Sequence, residues 1–487
     1  MIKAGALLWA ICGLLMTPVW AVEPIRVGHD ERQDPALWSL HSIDLSLAEA
    51  ISLGMRSNYS IRSLKLQRLR EQFDLRVAQD MFNPQLKLRG IHTLSRSSAD
   101  RGRSSVIEPT ISLLGEYGTL LELGLNQEIN ASRHSGESSS DGLRLTLTQP
   151  LLRGAGKDVA TAPLRQAQVT EQANLLNLKA NVSQTLYDII SAYRALLKAQ
   201  NQVTLDKAAL ERAIGLLKMN KQLISAGRVA EFDVVQIEAD IATQELAVNE
   251  ANNQLDASRL MLLKLLALDL STPVRASDSL HVSRLEISHA TAVKIAQTTQ
   301  PQYLTTLLQA ELAHINLLLA QDSARWDVSW VMGVAQKREQ HSINGDAREW
   351  DSYTGLQLEI PIADISSRRN LFNAQSLVEQ QALIEQEALQ DLTREITDSI
   401  RRLDTLWRQL EISQRVIELS KRKLSIENQK LIAGRSSNFQ IISFEADLRA
   451  AEDASLNAKI SYLDAQVRLD LMLGVMLDNW GISLESF

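Results

Sequence analysis

The segment ISAGRVAEFDVVQIEAD (224–240) recurs as LIAGRSSNFQIISFEAD (431–447), and this repetition decides the fold. A shift of 207 residues carries Gly227 onto Gly434, Glu238 onto Glu445 and Asp240 onto Asp447. Each copy has Ala-Gly-Arg between two long stretches without proline or cysteine, the pattern of a helical hairpin with glycine at its turn. A supersecondary unit present twice predicts an internally duplicated chain.

A second shift applies further upstream. Residues 46–82 align with 288–324 through Ala48 and Ala290, and through Ala78-Gln79-Asp80 and Ala320-Gln321-Asp322, at an offset of 242. The offsets differ by 35, so the first copy is longer between its leading helix and its hairpin. Strand-like sequence lies there. Residues 85–94 and 143–149 alternate apolar and polar, with Leu143, Leu145 and Leu147 against Arg144, Thr146 and Thr148. In the second copy Trp326, Val328, Trp330, Met332 and Val334 alternate in the same way, followed by Thr354, Leu356, Leu358 and Ile360. Residues 107–129 of the first copy read as an additional hairpin, either within the sheet or as an extracellular loop. SRSSADRGRSS (95–105) and INASRHSGESSSDG (129–142) have the composition of polar loops.

The helices carry a heptad line. Val182, Ile189, Leu196, Val203, Leu210, Leu217 and Ile224 are seven residues apart, and the 207 shift sets Ile396, Leu403, Leu410, Ile417, Leu424 and Leu431 beside them. Ile241, Val248, Leu255 and Leu262 form a similar line after the first turn. Such spacing predicts long helices packed side by side in a left-handed supercoil. A helix over 157–225 would be roughly 100 Å long, against about 60 Å for 229–268 and about 55 Å for the leading segment. Two short helices end to end would match one long helix.

Composition narrows the function. The net charge is −7 with no dominant basic patch, which argues against nucleic acid as a partner. The scattered histidines make no HExxH spacing, and no constellation of an enzyme, metal site or cofactor site stands out. Gly154-Ala155-Gly156-Lys157 fails as a phosphate loop, because Leu151 replaces its first glycine and Asp158 its Ser/Thr, so it reads as a turn into the long helix. Lys3, the apolar run 4–16 and the small-residue ending Pro18-Val19-Trp20-Ala21 predict a signal peptide over 1–21. The only cysteine, Cys12, falls inside it. Beyond it no run has the roughly 18 apolar residues of a membrane helix. If the chain enters a membrane, strands must take it there. The expected organisation is an N-terminal extension (22–44), a first repeat (45–269), a linker (270–286), a second repeat (287–478) and a C-terminal tail (479–487).

Two strands from each copy give about four per chain, and a barrel needs about eight. Several chains must therefore each donate strands. The duplicated pattern, QPLLRG (149–154) and the paired AGR turns resemble the TolC family of outer-membrane efflux proteins, over nearly all of the chain beyond residue 21. The resemblance implies a mainly α fold with a membrane β-barrel. It implies a homotrimer with a twelve-stranded barrel among outer-membrane lipid and coiled helical hairpins forming a periplasmic tunnel. It implies docking to a periplasmic adaptor and an inner-membrane pump, and passive conduction of cargo as the exit duct of tripartite efflux or type I secretion.

The same resemblance puts the hairpin tips Ala226, Gly227, Arg228, Ala433, Gly434 and Arg435 where relatives meet the adaptor. Asp233 matches the family's aspartate in the contacts that hold the tunnel entrance shut. Gln440 and Ser443 stand where the best-known relatives have two aspartates, so that acidic ring is missing here. Glu238, Asp240, Glu445 and Asp447 have two readings, bore-lining groups or a solvated helix face. The rival to a channel is a soluble periplasmic coiled-coil adaptor or scaffold, although two complete hairpins with strands in each copy do not suit one.

Overall fold

The computed structural model describes residues 43–96, 101–132, 136–225, 233–341, 345–362 and 364–484. The first copy contains β1 (Ile43–Leu45), α1 (Leu47–Ser57), α2 (Tyr59–Gln79), β2 (Gln85–Arg96), β3 (Arg101–Leu114), β4 (Leu120–Ser132), β5 (Gly136–Pro150), α3 (Lys157–Ala160), α4 (Ala162–Ser225) and α5 (Asp233–Leu265). The second contains β6 (Val274–Ala276), α6 (His289–Thr299), α7 (Pro301–Ser323), β7 (Asp327–His341), β8 (Gly345–Glu359), α8 (Ile365–Ile432), α9 (Asn438–Leu473) and α10 (Met476–Asn479).

The leading helix expected in each copy is broken at equivalent places. Ser46 and Glu49 form a capping box at the start of α1. Asn58 then leaves helical geometry, and its side chain accepts from Ser60 N and Ile61 N to start α2. Its Nδ2 donates to Leu265 O at the end of α5, 2.7 Å away, so the break is tied to the neighbouring helix. Gln300, 242 residues later, serves the same purpose before Pro301, which fits the first helical position because it has no N–H to satisfy.

The long helices α4 and α8 have 64 and 68 residues, close to 100 Å each at ~1.5 Å per residue. α2 and α7 flank their strand-proximal halves, and α5 and α9 flank their distal halves. Four columns result, in the order α2 above α5, then α4, then α7 above α9, then α8. The heptad line lies in their seams: Val182, Ile189, Leu196, Ile396, Leu403 and Leu410 are all buried. Two related cores form at mid-height. One gathers Ile189, Leu196, Leu262 and Leu266, and the other gathers their 207-shifted counterparts Ile396, Leu403, Leu469 and Leu473.

Residues 270–286, expected as a linker, include β6, which pairs in parallel with β1. Tyr193 of α4 anchors this pair, its hydroxyl 2.9 Å from Leu45 O and 2.7 Å from Asp278 Oδ2. Burial first, and then the Asp278 carboxylate, push its pKa up to about 12.

The principal sheet corrects the sequence expectation. It has six antiparallel strands, β2-β3-β4-β5-β7-β8, where about four were expected. Residues 107–129 lie within it. Much of the two supposed polar loops also forms strand, since β3 begins at Arg101 and β5 at Gly136. Their serines and glycines conceal the alternation because both faces are polar at that end, while the backbone ladder continues regardless.

Replacing Ile396 with alanine empties a fully buried site and should cost about 2–5 kcal/mol. Thr405→Ala, on an exposed face of α8, should stay within roughly 0.5 kcal/mol. Denaturant unfolding followed by helical circular dichroism separates the two outcomes.

Candidate functional site

The sheet has two chemically different faces. The register places Leu88, Ile111, Leu113, Leu121, Leu123, Leu145, Leu147, Met332 and Leu356 on one side. Many are well exposed, Leu88 at 73% and Leu356 at 71%. On the other side lie Lys87, Arg89, Glu108, Glu122, Glu128, Arg144, Lys337 and Asp351. Arg89 and Glu108 pair across strands at 3.6 Å. A hollow of about 500 Å³ lies mainly on this polar side. An apolar exterior with a polar interior suits a wall between hydrocarbon and water.

The aromatic residues divide between these faces. Trp330, near the helix end, and Trp350, toward the opposite end, lie on the apolar side, and Trp330 Nε1 donates to Thr354 Oγ1 at 2.9 Å. Trp326 stands exposed just before β7. Tyr353 lies on the other side: it shares the polar face with Gly333, over which its ring lies.

QPLLRG joins wall to column. Leu151 N donates to Val328 O at 2.7 Å, Arg153 pairs with Asp327 at 2.5 Å, and Gly154 N donates to the buried Asp322 at 2.8 Å. Asp322 belongs to the second-copy Ala-Gln-Asp. The Gly-Ala-Gly-Lys stretch is a turn, as expected, and Lys157 pairs with Glu116 at 2.9 Å.

At the distal end, α8 closes in a Schellman turn. Gly434 has φ 72°, its N–H donates to Leu431 O, and Arg435 N–H donates to Lys430 O. Ala433, Gly434 and Arg435 are exposed. Ser436 Oγ donates to Glu427 at 2.7 Å and Ser437 caps α9. Ser436 and Lys430 together lower the Glu427 pKa. Ala226, Gly227 and Arg228 lie outside the described residues, as does the Asp233 side chain.

The other entrance candidates have separate surroundings. Glu238 and Ser443 are exposed and Gln440 is half-buried. Asp240 accepts from Gln244 one turn along its own helix. Asp447 pairs with Lys423 of α8 at 2.8 Å, and Lys423 also sits 3.6 Å above the Phe444 ring. Glu445 faces Arg212 of α4 at 2.7 Å, and burial raises its pKa despite that cation. This pair belongs to a polar seam where the two hairpins meet, which sequence patterning did not reveal. Arg194–Asp464, Gln202–Asp453, Arg212–Glu445 and Asn220–Asn438 follow one another down antiparallel α4 and α9. The spacing between these partners exceeds 200 residues, so no local motif announces them.

Arg212→Leu should leave Glu445 and Glu452 without their shared cation and cost about 1–3 kcal/mol. The double variant Arg212→Leu/Glu445→Leu should recover part of that loss. Thermal unfolding of the pair of variants would show no recovery if the seam contributed nothing.

Comparison with known proteins gives structural likeness alone. No protein-family model matches the sequence, and no curated protein matches it. The CmeC outer membrane channel of Campylobacter jejuni superposes with a TM-score of 0.68 at 13% identity, over 91% of this chain and 90% of that one. CusC, whose crystal structures concern transmembrane channel formation, gives 0.69 at 14% identity over 90% and 95%. The outer membrane protein VceC of Vibrio cholerae gives 0.67 at 15% identity over 88% and 96%. Nearly the full length is covered on both sides, so this chain has the fold of these TolC-like outer membrane channels.

Proposed function

We propose that the protein is a homotrimeric outer-membrane channel whose helical tunnel extends into the periplasm. It conducts cargo passively as the exit duct of a tripartite efflux or type I secretion system. The observation that carries this reading is the coincidence of open sheet edges with exposed apolar helix lines. Among the described residues, β2 and β8 have no strand partner on their outer sides. They adjoin α2 and α8, the two outermost columns. Tyr59, Leu66 and Phe73 stand seven apart and exposed on α2, and Ile412, Leu419 and Ile426 do the same on α8. A heptad line facing water on each flank, below an unpaired strand, is half of an interface. The accessible surface, 31570 Å², is far above the roughly 18,000 Å² of a compact chain of this mass. A second copy fits both flanks, because β2 and β8 run in opposite directions and would extend the antiparallel order.

The structural neighbours named above are outer membrane channels, which supports the same location here. Among the described residues no helix is long and apolar enough to cross a membrane, so the sheet is the element suited to that purpose. A soluble scaffold would leave the apolar face of the sheet in water. Arg435, exposed in the turn after α8, and Arg228, its counterpart under the 207 shift, would hydrogen-bond to carbonyls or carboxylates of a periplasmic adaptor. The inner-membrane pump would supply the energy.

The protein should fractionate with outer membranes, require detergent for extraction, and run as a trimer that heat dissociates; a soluble monomer would contradict the proposal. Leu145→Arg, mid-wall on the apolar face, should cost about 2–4 kcal/mol and reduce assembly, whereas Thr146→Arg on the polar face should be tolerated. Reversing Arg228 and Arg435 to glutamate should weaken pump-dependent export while the trimer persists. Loss of the trimer in that variant would make the tips purely structural.

A further inference from the structure

The sheet contains two more strands than the family resemblance implies, and the surplus has a defined origin. The 35-residue difference between the repeat offsets is the length of one hairpin with its connection. That hairpin is β3–β4. It is paired along its length on both sides, from Gln85↔Ser112 to Arg96↔Arg101 with β2, and from Leu120↔Thr148 to Ser132↔Gly136 with β5. It therefore belongs to the wall and is neither a plug nor a surface loop. Both of its faces match those of its neighbours. Ile111, Leu113, Leu121 and Leu123 extend the apolar side, while Thr110, Glu122, Asn126 and Glu128 extend the polar one.

The hairpin turn, at the helix end of the sheet, is locked in place. Gly115 N donates to Thr119 O and Gly156 N to Tyr117 O, while Lys157 pairs with Glu116. Gly118 has φ 85°, and a Cβ there would lie 2.3 Å from Gly154 O, so only glycine allows this approach. The turn thus rests on the segment leading into the helices, at the junction of sheet and columns.

Geometry favours six strands. At ~4.8 Å separation and ~40° tilt a strand occupies about 6 Å of circumference, so six span roughly 38 Å. Four helical columns at ~9–10 Å separation also span roughly 38 Å. Four strands would span only about 25 Å and would need a much steeper tilt to meet the same helices.

We infer that, in the trimer proposed above, this chain builds an eighteen-stranded barrel rather than a twelve-stranded one. Its backbone diameter would be roughly 36 Å, against about 24 Å for twelve strands at the same tilt. A bore of that width matches the helical tunnel below it and passes polymeric cargo, such as an unfolded polypeptide or polysaccharide, without narrowing at the membrane. Its polar lining carries both signs of charge, with Glu108, Glu122 and Glu128 beside Arg89 and Arg144.

This inference rests on the trimer, and the test separates the two claims. Native mass spectrometry of the detergent-purified particle counts the chains; any number other than three overturns the trimer, and the eighteen-strand inference with it. Electron cryomicroscopy of the same particle counts strands, and a trimer showing twelve, with residues 101–132 outside the wall, overturns the inference alone. Single cysteines at Leu123 and Glu122 add a readout in intact membranes, since Cys12 precedes the expected cleavage site. A membrane-impermeant maleimide given lumen access should label Glu122→Cys and leave Leu123→Cys protected by lipid. Equal labelling of both in a confirmed trimer would place the hairpin in the lumen and defeat the proposal.

Discussion

The backbone hydrogen bonds of β2 and β8 govern everything else in this molecule. Each edge strand presents a row of N–H and C=O groups with no strand partner among the described residues. Water can satisfy such groups, but hydrocarbon cannot, and each group left unpaired there costs several kcal/mol. The apolar face of the sheet nevertheless calls for hydrocarbon. In the channel proposed above, both demands are met because neighbouring copies close the ladder. The helices express the same incompleteness less severely, as their outermost columns expose apolar heptad lines that water tolerates at some cost.

Duplication explains how one chain builds two kinds of wall. Both repeats place their strands at the same end of a helical column and break the leading helix at the same position, Asn58 in one and Gln300 in the other. The copies have since diverged where their surroundings differ. The first carries an additional hairpin, β3–β4, in the sheet. At the tips, Asn220 occupies the position of Glu427; the former bonds across to Asn438, whereas the latter binds Ser436 within its own turn. One repeat thus reaches toward its sister while the other closes on itself.

Much of this was legible in the sequence because periodicity survives where one face is buried. The heptad line from Val182 onward foretold the seams, the helix lengths foretold the stacked columns, and the two offsets foretold the existence of extra material in the first copy. What was hidden follows from physics as well. Residues 95–105 and 129–142 look like loops because their strands have polar groups on both faces, and pairing is a property of neighbours rather than of composition. The inter-hairpin seam was invisible because Arg212 and Glu445 lie 233 residues apart. Glycine at Gly434 signalled a turn correctly, since the αL geometry it allows is local.

The most direct test of closure between copies is cysteine cross-linking in native membranes. One cysteine placed on β8, at Leu356, would be scanned against single cysteines along the outward positions of β2, from Leu86 to Leu94. One register should yield a covalent ladder that ends at three chains. Cross-links confined within single chains, or none at any register, would contradict the account.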